Sequence, residues 1–157
     1  MNTLQEIEFD GFTGFKSINE LTRDCTCLPS CGGVYLILKP DNLEVEFLST
    51  GTGGYFKGKD PNVGLSVLQE NWVNGSIVLY IGKATSLRKR LNQYFKFGQG
   101  KNIGHYGGRY IWQLKHASSL IVCWKPINGE EPRQAESRLI QKFVNKFGKR
   151  PFANLCD

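Results

Sequence analysis

Between Asn71 and Gly129 the chain has no aspartate and no glutamate. Nine basic residues stand in that stretch without a local acidic partner: Lys83, Arg88, Lys89, Arg90, Lys96, Lys101, Arg109, Lys115 and Lys125. The rest of the 157-residue chain carries 11 basic and 14 acidic residues, so a net charge of only +6 hides a basic block set against a slightly acidic remainder. Segregation of this kind is the footprint of a surface that meets a polyanion, with salt-dependent attraction to phosphate as the main source of affinity. A solvated basic face without a partner is the plainer alternative.

Other absences narrow the class. No apolar run approaches the ~20 residues that cross a bilayer, and the N-terminus lacks the basic-then-apolar layout of a secretory signal. A cytoplasmic, intracellular protein without a membrane partner is expected. Five cysteines, an odd number with Cys25, Cys27 and Cys31 crowded together, make no disulfide framework. Nor is their spacing that of a paired zinc finger, and no fourth ligand lies near. Gly51, Gly53 and Gly54 with Lys57 and Lys59 suggest a phosphate loop, but Gly-Lys followed by Ser or Thr is absent and nucleotide binding is not expected. Without internal repeats, low-complexity tracts or linkers, residues 1–157 are expected to form one domain.

What is present begins with a strand running into a helix. Ile77 to Ile81 is an apolar, β-branched run, Gly82 lets the backbone turn, and Thr85 or Ser86 can cap the helix beyond it. Leu87, Leu91, Tyr94 and Phe95 recur at helical spacing, with Arg88, Lys89 and Lys96 outside the apolar face and Arg90 on its rim. That junction suits an anionic guest. A second helix is bracketed by Pro132 and by Gly148 with Pro151. At about 100° per residue, Ala135, Leu139, Ile140, Phe143 and Phe147 make one face, and Glu136 falls near its middle. Burying an unpaired carboxylate costs several kcal/mol in effect, so a metal ion, a proton or a cation such as Arg90 is required. A structural ion pair with Arg90 remains the alternative.

Strands are expected near 33–38, 44–48, 77–81 and 119–125, with short helices over 63–72 and 109–115. The fold class is α/β of the α+β kind: a small, mainly antiparallel sheet flanked by helices, with an insertion at about 40–75. Gly98, Gly100 and Gly104 lead into His105, Tyr106, Gly107, Gly108 and Arg109. There Arg109 can grip a second phosphate and His105 can move a proton, unless His105 only packs a loop. His116 reads as structural. Tyr94, Phe95, Phe97, Tyr106 and Trp112 interleave with the basic residues and read mostly as core, with base stacking a minor role.

Gly33-Val34-Tyr35 on an early strand, paired with Tyr80-Ile81-Gly82, resembles the GIY-YIG nuclease family. Lys83, Arg90, Glu136 and Asn154 agree with the family's pattern, and the resemblance spans residues 33 to 154. It implies hydrolysis of phosphodiester bonds in DNA with one divalent ion, Mg2+ or Mn2+, held by Glu136 among waters and a phosphate oxygen. It further implies that Arg90 stabilises charge on the scissile phosphate and that Lys83 adds positive potential. Tyr35 or Tyr80 would position or deprotonate water, with its phenol, ordinarily near ~10, lowered by the surrounding cations. Asn154 would hydrogen-bond a tyrosine or the phosphate. The Tyr35 to Tyr80 and Glu136 to Asn154 intervals are both longer than usual in the family. Arg88, Lys89, Lys57, Lys59, Lys101 and Arg109 are the expected nucleic-acid contacts, and target choice falls to the insertions, a homodimer or a partner protein. A non-catalytic nucleic-acid-binding module and a basic subunit docking an acidic protein are the competing expectations.

Overall fold

The computed structural model describes residues 1–155. Its centre is the strand Gly33–Leu38 (β2), all six residues of which are buried. A strand covered on both faces reads as a continuous apolar run and not as an alternation, which is what Val34-Tyr35-Leu36-Ile37-Leu38 supplies. Val78–Ala84 (β3) and Ile121–Pro126 (β4) pair antiparallel with its two edges, and Thr13–Ser17 (β1) adds to β4. The order is β1-β4-β2-β3 and every pairing is antiparallel.

Two apolar clusters form on the sheet. One gathers Val34, Leu36, Val78 and Ile81 with Ile7 from Leu4–Phe9 (α1) and with Ala135 and Phe143 from Pro132–Phe147 (α5). The other gathers Tyr35, Ile37, Leu79 and Tyr80 with Leu21 of Ile18–Arg23 (α2), Leu68 of Leu65–Asn71 (α3) and Leu87 and Leu91 of Leu87–Gly98 (α4). Helices thus lie on both sides of a four-stranded antiparallel sheet. Pro132 opens α5 and Gly148, at φ +78°, closes it in the left-handed region that glycine tolerates.

One expectation fails on the sheet. Residues 44–48 do not make a strand; Phe47 forms only an isolated bridge to Leu114 and packs on Trp72 and Phe152. Its alternation with Glu44 and Glu46 is strand-like, but no long partner lies beside it. The fourth strand is instead β1, where Gly14 and Phe15 have positive φ and the register shifts between Gly14 and Lys16. Such a bulged sequence carries little strand signal. α2 comes directly after it, opened by a capping box between Ser17 and Glu20 that is legible as Ser-x-x-Glu. The helix expected over 109–115 is present but shorter and of the 3-10 type, Arg109–Gln113.

β3 is an edge strand, and the chain after α5 closes that edge. The Ala153 amide donates to the Leu79 carbonyl at 2.9 Å. Asn154 then pairs with Ile81 through its side chain: Oδ1 accepts from the Ile81 amide and Nδ2 donates to the Ile81 carbonyl, both at 2.9 Å. Exposed edges invite pairing with other chains, and covering them is a standard protection.

Gly33 is where β2 comes closest to its neighbours. A Cβ there would collide with the Lys125 carbonyl oxygen and stand 2.9 Å from Leu87 Cδ1. Gly33→Ala should therefore lower stability by about 1–3 kcal/mol, the usual range for overpacking. In urea the midpoint should fall with the slope unchanged; an unshifted midpoint would mean that β4 can move off β2 at no cost.

Candidate active site

A cleft of about 460 Å³ opens beside the edge of β3, and its wall includes Tyr80, Lys83, Arg90, Glu136, Arg150 and Asn154. Each side chain arrives from a different local rule. Tyr80 and Lys83 stand on opposite faces of β3, because strand side chains alternate. Arg90 comes three residues after Leu87 and one before buried Leu91, which sets it at the rim of the apolar face of α4. Glu136 comes directly after buried Ala135 and sits on the flank of α5 nearest β3. Its side chain is 17% exposed, facing the cleft and not the core, and Lys83 Nζ lies 3.6 Å from its Oε1.

Tyr35 stands behind this wall. Its ring meets the Tyr80 ring edge-on at 6.0 Å and lies across Gly82, where a Cβ would come within 2.5 Å of the Tyr35 hydroxyl. Glycine at 82 is thus the space that the Tyr35 hydroxyl needs to reach the site. Burial raises the pKa of both phenols, Tyr35 well above the ordinary value and Tyr80 less so. Arg90 opposes the shift but does not overcome it, so the expected lowering by neighbouring cations is overturned by desolvation. Both hydroxyls are donors at neutral pH. Tyr35 is the more completely buried and its shift the larger, which leaves Tyr80 the more easily ionised of the two.

Several expected roles change. Asn154 lines the cleft but makes no hydrogen bond to a tyrosine; both ends of its amide are committed to Ile81, and it positions β3. His105 is 1% exposed and packs on Tyr94 at 4.4 Å between ring centres, with both ring nitrogens buried and without a hydrogen-bond partner. It does not line the cleft, and burial pushes its pKa down to about 3, so it is no proton carrier in the folded protein at neutral pH. Arg88 donates from Nε to the Leu28 carbonyl and from Nη2 to the Thr26 carbonyl, which ties its head to the loop before β2. The first amides of α4 likewise go to the carbonyls of Cys31 and Pro29 and to the Ser86 hydroxyl. The helix start is therefore filled by the chain and does not hold the anion.

Lys89 remains exposed on the first turn of α4. Lys57, Lys59 and Lys101 are exposed on two loops that pack together, with the Tyr106 hydroxyl donating to the Asp60 carbonyl. None of the three lines the cleft; Gly107 and Gly108 of the second loop do, and Gly108 lies against the Tyr80 ring. Arg150, Ser137 and Gln141 join the wall without having been expected there. Arg150 belongs to the acidic remainder of the sequence, and only the return of the chain past β3 brings it to the basic cleft. Among the described residues no group of three or more His, Cys, Asp and Glu side chains gathers.

Comparison with known proteins gives no match among family models, curated proteins or solved structures.

The buried imidazole of His105 has a measurable consequence. Its pKa of about 3 in the folded protein lies below the ordinary 6.5 of the unfolded chain. Between those values the unfolded chain binds a proton that the folded one refuses, so stability is full above pH 6.5 and falls as pH drops towards 3. From pH 7 to 5 the loss should be about 2 kcal/mol. His105→Leu should flatten that segment of the stability profile in urea titrations. An equal slope in parent and variant would show that His105 titrates normally.

Proposed function

We propose that this chain is a metal-dependent endonuclease that hydrolyses phosphodiester bonds in DNA. The observation that carries the reading is the convergence of Tyr80, Lys83, Arg90, Glu136 and Asn154, from one edge strand, two helices and the segment after α5, around one cleft with the Tyr35 ring packed edge-on against Tyr80 behind it. Those are the residues on which the resemblance to GIY-YIG nucleases rests.

The donor set fits a hard divalent ion. Glu136 offers carboxylate oxygen at the wall of a cleft with room for water and a phosphate, and Mg2+ or Mn2+ is commonly held by one or two carboxylates with water completing the shell. Bound there, such an ion would polarise a phosphate oxygen and make bound water more acidic. Arg90 and Lys83 supply fixed positive charge to the phosphate as its charge grows in the transition state. Tyr80, protonated at neutral pH, donates a hydrogen bond that can orient the attacking water or a non-bridging oxygen, and the Tyr35 ring packs edge-on against it and holds the Tyr80 ring in place. Asn154 fixes the backbone of Ile81, one residue beyond Tyr80. Target selection would come from the paired loops, a second copy or a partner protein.

One observation favours a second reading. Lys83 already offsets part of the Glu136 charge at 3.6 Å, so the cleft is tolerable without a metal ion and a non-catalytic nucleic-acid-binding module would keep the same geometry.

Glu136→Gln should abolish Mg2+-dependent cleavage of plasmid DNA while leaving gel-shift affinity nearly unchanged. Cleavage at the parent rate would sink the nuclease reading of this site, and absence of cleavage by the parent would favour the binding module. Arg90→Ala should lower the cleavage rate on the order of a hundredfold. Weaker binding with the rate retained at saturating DNA would make Arg90 an ordinary phosphate contact.

A further inference from the structure

Next to the cleft lies a second depression of about 510 Å³, lined by Asn71, Arg109, Tyr110 and Lys149 and sharing Arg150 and Asn154 with the first. Three cations line it and no described carboxylate does. Each cationic head is held without being neutralised. The Arg109 guanidinium lies over the Tyr106 ring at 4.1 Å and the Tyr110 ring at 5.3 Å, with its Nε buried and unpartnered. Lys149 Nζ donates to the Glu70 carbonyl at 2.9 Å, and Arg150 Nη1 to the Leu155 carbonyl at 3.1 Å. Among the described residues none of the three forms an ion pair. Like charges fixed around one depression repel, and an anion placed among them relieves that cost.

Because Arg150 stands on the rim common to both depressions, we propose that Arg109, Lys149 and Arg150 form a subsite for the phosphate neighbouring the one in the cleft, on the same nucleic-acid strand. The proposal rests on the reading of the cleft as a phosphodiester site. It makes the ligand a strand with consecutive phosphates, recognised through its backbone and without regard to base.

The test uses the full chain carrying Glu136→Gln and a labelled DNA oligonucleotide, with affinity read by fluorescence anisotropy over a series of salt concentrations. Adding Arg109→Gln, Lys149→Gln and Arg150→Gln should weaken binding about tenfold or more and reduce the salt slope by about 0.7–0.9 for each lost phosphate contact. A control with Lys16→Gln, Lys142→Gln and Lys146→Gln removes the same charge from exposed positions on β1 and α5 outside both depressions. It should change the slope little. Arg109→Gln alone, which leaves the Lys149 and Arg150 anchors intact, should give a smaller fall in slope and decides the matter if the triple variant does not fold. A phosphorylated dinucleotide should compete for the parent's site far better than inorganic phosphate at equal concentration.

Equal losses in groove and control variants, no loss in the groove variants, or competition by inorganic phosphate as strong as by the dinucleotide would each overturn the subsite. If the parent cuts and binds DNA and the groove variants match it, the subsite falls and the nuclease reading stands. If the parent binds no DNA, both fall together.

Discussion

The pairing of the Asn154 side chain with the backbone of Ile81 is the contact on which the site's geometry depends. β3 has β2 on one side and would otherwise present unpaired amides and carbonyls on the other. A carboxamide offers a donor and an acceptor at the spacing of a peptide group, so one side chain can stand in for a residue of a fifth strand. With β3 held from both sides, Tyr80 and Lys83 leave the strand in set directions. The same turn of chain carries Arg150 to the cleft. A residue expected to hydrogen-bond a tyrosine or a phosphate therefore acts at one remove, by holding the strand that bears Tyr80 and Lys83.

Burial governs the rest of the site's chemistry. The cations near Tyr80 and Tyr35 are real, yet a phenolate in an enclosed position loses more from desolvation than Arg90 returns. The tyrosines are therefore donors in the resting protein. Burial silences His105 in the same way, because an imidazolium packed against Tyr94 has no water and no acceptor. Glycines make this enclosure possible: Gly82 admits the Tyr35 hydroxyl, and Gly108 lets the second loop lie on the Tyr80 ring while its carbonyl accepts from the Tyr94 hydroxyl at 2.8 Å.

Charge is distributed by the fold more than by position along the chain. Of the block free of acidic residues, Arg88 is spent on the carbonyls of Thr26 and Leu28 and Lys125 on that of Asp10, at 2.7 Å. Lys149 and Arg150, from the part of the chain with a net negative count, complete the basic surface instead. Counting charge along the sequence therefore misassigns part of the basic surface.

The sequence by itself determined the elements whose signals are local. β2 is a continuous apolar run, β3 and α4 are joined at a capped turn, and α5 lies between Pro132 and Gly148. Tertiary structure alone decided what covers each of these. It supplied β1 in place of a strand at 44–48, closed the edge of β3, turned Glu136 towards the cleft, buried His105 beneath the glycine-rich loop and brought Lys149 and Arg150 beside Arg109. The physical reason is that periodicity and capping depend on neighbours a few residues away. Desolvation, hydrogen-bond satisfaction and the summing of charge depend on groups that meet only when distant segments pack.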